Sequence, residues 1–244
     1  MNLFSGAAYP RPLQVGDRWF YKVVFPDSKG YILTETVQEK LRINGTETYV
    51  IFSDDDLHIS TNYLWLTGDW HEVKSSRPNI GNLNASSVTI YEPPIELVHI
   101  PLHVGERWEV NSTTTTLTLV NDRTQVEVSE VRETRQIVSE ELIRTPIKSF
   151  QAFRISVVSG NSPFETLWFS SSLGQVVYAE YYNPLGESVT ETLTGYVLND
   201  TASNLNSTYV SPLVPRTYTS TGNAPIVIST TNSAFPAELK ISYE

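Results

Sequence analysis

The octapeptide Pro12-Leu13-Gln14-Val15-Gly16-Asp17-Arg18-Trp19 returns almost unchanged as Pro101-Leu102-His103-Val104-Gly105-Glu106-Arg107-Trp108. Six of the eight positions are identical and a seventh exchanges one acid for another, the mark of an internal duplication. Pro and the Leu-x-Val alternation suit an extended approach, Gly allows a bend, and Trp opens a strand with a large inward group. After the first copy the two-residue period places Trp19, Tyr21, Val23 and Phe25 on one apolar face.

The correspondence continues downstream. The run Thr48–Phe52, a polar turn and Tyr63-Leu64-Trp65-Leu66 match 152–157, a second polar turn and Thr166-Leu167-Trp168-Phe169, so Trp65 corresponds to Trp168. The expected fold is therefore all-β, with two related antiparallel curved-sheet halves, half-barrel or sandwich-like, over residues 1–100 and 101–198. A Ser/Thr/Pro-rich tail over 199–244 follows, with strand-like segments at 225–229 and 237–243. Asn44-Gly45 marks the clearest hairpin, 75–86 reads as a loop and 92–101 as an extended bridge between halves. Over 130–143 helical and extended periods compete, and the β-branched content favours strand.

A charged fraction of 18% with abundant Thr, Ser, Tyr and Val fits a β-rich extracellular or cell-surface chain, whose signal peptide is expected to have been removed. No apolar run is long enough for a transmembrane helix. The net charge of -10 argues against nucleic acid and anionic membranes as partners. With no cysteine, disulfides, thiolate metal sites and cysteine nucleophiles are excluded. Asn44, Asn84, Asn111, Asn199 and Asn206 each open an Asn-x-Ser/Thr triplet and are candidate glycosylation sites.

Asp54-Asp55-Asp56 with His58 is the densest cluster of metal-type ligands, but the matching place in the second half, 159–163, is a plain turn, and a turn is the reading adopted. His71, His99 and His103 sit in no metal-binding spacing, and Glu140 and Glu141 alternate faces on a strand, so neither set supports catalysis. No enzyme activity and no cofactor are expected. The aromatic residues carry the functional lead. Trp65 and Trp168 read as core, whereas Trp70, Tyr181 and Tyr182 are candidates for an exposed ligand platform.

The Pro-Leu-x-Val-Gly-x-x-Trp corner, the run Glu165–Tyr178 and the closing Glu191-Thr192-Leu193-Thr194-Gly195-Tyr196 resemble uncharacterised secreted or lipid-anchored β-proteins of bacteria and archaea, over residues 12–198. These are similar to the lipoprotein-carrier half-barrels, and the resemblance implies a curved antiparallel sheet sheltering an apolar cavity. Three functions follow as expectations: surface interaction or assembly through sheet edges and the tail, with a protein partner or self-association; carriage of a lipid-like ligand; or glycan binding.

Overall fold

In the computed structural model, residues 7–57, 60–80, 85–121, 123–160, 162–183, 186–199 and 207–210 are described. The chain separates into two units, 1–214 and 215–244, and the second lies outside the described residues, as do the strand-like segments 225–229 and 237–243. Among its described residues the first unit holds thirteen strands: β1 (Arg18–Val24), β2 (Gly30–Ile43), β3 (Thr46–Asp55), β4 (Ser60–Thr67), β5 (His71–Ile80), β6 (Ala85–Glu96), β7 (Arg107–Val120), β8 (Arg123–Arg144), β9 (Ser149–Ser159), β10 (Ser162–Ser170), β11 (Gln175–Tyr182), β12 (Ser188–Leu198) and β13 (Ser207–Val210). Consecutive strands pair antiparallel throughout. Residues 75–80 and 85–86 are strand rather than loop, and 130–143 is strand, as its β-branched content favours.

The two halves do not form separate curved sheets. β6 pairs with β7, and β1 pairs with β12 from Arg18↔Val197 to Val24↔Thr190, so the twelve strands close into one barrel. Closure is the better solution because each half-sheet alone would leave its first and last strands with unpaired backbone groups. The half-barrel or sandwich expectation is corrected on this point, and all-β is right. The tail begins by adding β13 to β12 of its own sheet, Gly195↔Val210 to Leu198↔Ser207.

The duplicated octapeptides build the same corner twice. Gly16 and Gly105 have φ of 95° and 94°, where a Cβ is strained. The Gly16 N–H donates to the Val37 carbonyl and the Val37 N–H to the Asp17 carbonyl. The second corner repeats this through Gly105, Ile137 and Glu106. Each corner is followed by a register shift, at 37/39 in β2 and at 137/139 in β8. Trp19 and Trp108 then both turn inward, 0% and 7% exposed.

Which side of each strand faces the barrel interior follows from register. β7 alternates exposed and buried from Arg107 to Thr114, with Trp108, Val110, Ser112 and Thr114 inward. Outward it carries Arg107, Glu109, Asn111 and Thr113, the reverse of a lipid-facing barrel strand. A twelve-strand barrel is too wide to be filled by small side chains. Where β1 and β7 begin, it is packed with Trp19, Trp108, Phe153 and Phe169, and the loop residues Leu13, Val98, Leu102 and Leu173 add to the same apolar cluster.

Candidate functional site

The interior is not uniformly apolar. Glu35 lies opposite Trp19 and Ser53, Glu191 opposite Val23 and Ala179, and Glu165 opposite Val157 and Tyr181, all partners on inward faces. Glu72 lies opposite the inward Leu66, and Arg135 opposite Trp108. Side chains also bond between strands that are not neighbours. Gln175 Nε2 donates to Glu35 Oε2 at 3.1 Å, and the Tyr21 hydroxyl donates to the Val176 carbonyl at 3.1 Å.

Burial among protein atoms disfavours the ionised carboxylate and raises these acids. Glu35 and Glu72 are pushed up to about 7, each mainly by burial. For Glu35 the Ser53 hydroxyl works in the opposite direction, and for Glu72 so do Tyr91, Arg135 and Ser75. Glu191 is pushed up to about 8, first by burial and then by repulsion from Glu35 and Glu165. Glu165 is raised by burial, partly offset by Arg135. All four carboxylates keep partial exposure, so they border water in the lumen rather than dry core.

Arg135 supplies the positive charge in this neighbourhood. Its side chain is 6% exposed and gives two bonds to Glu133 Oε2, at 2.7 and 3.0 Å, and a third to the Leu97 carbonyl at 3.0 Å. The ion pair with Glu133 takes up most of that charge, so the remaining acids are poorly compensated.

At the end of the barrel where the β1–β2 hairpin lies, a cavity of about 700 Å³ is lined by Phe25, Pro26, Asp27, Lys29, Gly30, Tyr31, Asp55, Leu57 and Glu187. Tyr31 and Asp55 are inward by register, opposite Val23 and Leu33. Tyr31 is raised by burial and then by the charges of Glu191 and Asp55, so the cavity adjoins the acidic interior. The Phe25 and Tyr31 rings are 6.0 Å apart at 51°. Lys29 is ion-paired to Asp27 at 2.9 Å.

The expected site residues do not assemble into one platform. Trp70 is 4% exposed and packs edge-on against Phe169 with centroids 5.0 Å apart, so it belongs to the core. Tyr181 faces inward beside Glu165, while its neighbour Tyr182 is 53% exposed. Trp65 and Trp168 occupy matching places; Trp168 is buried in the apolar cluster, as expected, whereas Trp65 is half-buried on the outer wall. Lys74 Nζ lies 4.5 Å from the Trp65 ring centroid, and the Arg154 guanidinium 5.5 Å from that of Trp168. The three acids of the Asp cluster diverge: Asp54 pairs across to Thr61, Asp55 accepts from the Leu57 N–H and Asp56 from the Ile32 N–H. His58 lies outside the described residues, among which no group of three metal-type ligands converges.

Of the glycosylation candidates, Asn44 sits in the β2–β3 turn with φ of 50° and Asn111 points outward from β7, both exposed. Asn199 Nδ2, the atom a glycan would occupy, instead donates to the Val15 carbonyl at 2.6 Å. Asn84 and Asn206 lie outside the described residues.

No protein-family model and no curated protein matches the chain. Among solved structures it is similar to an inferred exported protein with a YmcC-like fold from Bacteroides fragilis, at 13% identity over 77% of this chain and 98% of that one, TM-score 0.39. An inferred lipoprotein from Parabacteroides distasonis matches at 12% identity over 78% and 98%, TM-score 0.34. The hypothetical lipoprotein YmcC from Escherichia coli matches at 11% over 74% and 84%, TM-score 0.37. Likeness of this degree assigns neither ligand nor activity.

Proposed function

We propose that the chain is a non-enzymatic, extracytoplasmic binding protein that takes a small organic cation at the open mouth of its barrel. The observation that carries this reading is the 700 Å³ cavity, a volume suited to a small ligand, with three carboxylates and two aromatic rings in its wall. Asp27 pairs with Lys29, Asp55 accepts from the Leu57 N–H and Glu187 from Asn183 Nδ2, and all three acids share the wall with Tyr31. An ammonium group gains from both the acids and the ring faces. A fatty chain would have to bury these carboxylates against hydrocarbon, which opposes the apolar-carrier reading. The tilt between Phe25 and Tyr31 leaves no flat platform for a sugar.

Calorimetric titration with spermidine, maltotriose and dodecanoate tests this. Spermidine alone is expected to bind, more tightly at pH 8 than at pH 5, because the carboxyl of Glu191, whose charge reaches Tyr31, is mostly protonated at the lower value. Tyr31→Ala and Glu187→Gln are each expected to weaken it by about tenfold. Binding of dodecanoate or maltotriose in place of spermidine, or of none of the three, would contradict the reading.

A further inference from the structure

β8 is 22 residues long, and its pairing with β9 begins only at Glu133↔Ser159. On the other side β7 pairs with β8 from Val120↔Arg123 onward. Residues 123–132 therefore present one free edge among the described residues, with alternate N–H and C=O groups directed to solvent. Residues 123–130 are all exposed, and Val126 and Val128 stand outward at 62% and 65%.

We infer that this edge pairs antiparallel with the same edge of a second copy, joining two barrels about a two-fold axis at Val128. Opposed residues in an antiparallel ladder must face the same side, so the two-fold has to fall on a single residue. Centred on Glu127 or Glu130, it would set a carboxylate directly against its own copy, which is destabilising. Centred on Val128, it sets Val128 against Val128, Glu127 against Ser129, Val126 against Glu130 and Thr124 against Arg132, with no like charges opposed. Only centres on Glu127 and Val128 use nearly the whole of the free edge, and of these two the charges exclude Glu127 and leave Val128. A strand-to-strand contact of this length buries less than the ~1,200 Å² of a standard interface, so the dimer forms at high micromolar concentration. None of residues 123–132 lines the mouth cavity.

The chain has no cysteine, which allows a direct test on the full-length protein. Sedimentation is expected to show a concentration-dependent dimer that Val128→Lys weakens by at least tenfold, with an unchanged circular dichroism spectrum. Under mild oxidation Val128→Cys is expected to run as a disulfide-linked dimer, while Val138→Cys, 43% exposed on the same strand, stays monomeric. A wild-type monomer at every concentration would overturn the proposal, and so would cross-linking of Val128→Cys no greater than that of Val138→Cys.

Discussion

Asp17→Ala is expected to cost about 3–5 kcal/mol, lowering the melting temperature by on the order of 10 °C. Asp17 is 0% exposed. Its carboxylate receives Arg11 at 2.7 and 3.1 Å, the Gln14 N–H at 2.9 Å and the Asn199 N–H at 2.7 Å. One side chain thus ties the lead-in, the first corner and the end of β12 together. Removing it leaves the Arg11 guanidinium, whose side chain is 18% exposed, with only the Asn199 carbonyl at 3.4 Å, and two backbone donors with no acceptor. The matching acid in the second corner, Glu106, is only half-buried and lies 3.9 Å from His99 Nε2, so Glu106→Ala is expected to cost less than about 1 kcal/mol. Paired thermal melts read the difference, and equal losses at the two corners would show that the Asp17 network does not hold the barrel.

Glu191→Gln is expected to stabilise the protein at pH 8 and change little at pH 5. The carboxyl stands at about 8 in the fold against 4.5 for an ordinary glutamate, because burial and the neighbouring Glu35 and Glu165 oppose its charge. The folded chain therefore binds this proton more tightly than the unfolded chain. The stabilisation from protonated Glu191 is complete below about pH 4.5 and is lost as pH rises through about 8. The difference caps the effect at about 5 kcal/mol, and lumen water together with the shared repulsion among the three acids brings it to about 2 kcal/mol. Glu35 and Glu72, at about 7, add to the same trend. Chemical denaturation from pH 5 to pH 8 should show wild-type stability falling and the Glu191→Gln profile flatter. A wild-type stability that rises over this window would contradict an acidic, poorly compensated lumen.

The strands and both corners were legible because they rest on local physics. Gly16 and Gly105 need a positive φ, and the period of two in Trp19, Tyr21 and Val23 survives unchanged as the inward face. Closure was not legible, since two matched half-sheets and one barrel share the same local pattern and differ only in which edges meet. The mouth cavity is built by Phe25, Tyr31, Leu57 and Glu187 from separate loops and strands, a convergence that only the closed sheet creates.

The interior acids had left a readable signal. Leu33-Thr34-Glu35-Thr36-Val37 and Val189-Thr190-Glu191-Thr192-Leu193 each place a carboxylate in the apolar phase of a strand, and Arg135 shares the phase of Ile137. A charge in that phase marks a wet interior. Trp70 misled because a tryptophan after Gly68-Asp69 looks like an exposed turn residue. It takes φ of 65° and turns back into the core. Trp65 misled in the other direction, since the outer wall shelters it under Lys74 instead of an apolar layer, whereas Trp168 is 7% exposed and part of the apolar cluster.

The seam between β1 and β12 decides whether there is one barrel or two sheets. Lys22 and Thr192 are direct partners across it. In this cysteine-free chain, Lys22→Cys combined with Thr192→Cys places two thiols within reach of a disulfide. Peptide mapping of the oxidised monomer should find the pair joined within one chain, with the melting temperature maintained or raised. Free thiols, or bonds formed only between chains, would mean that the seam is open and that the two halves are separate sheets.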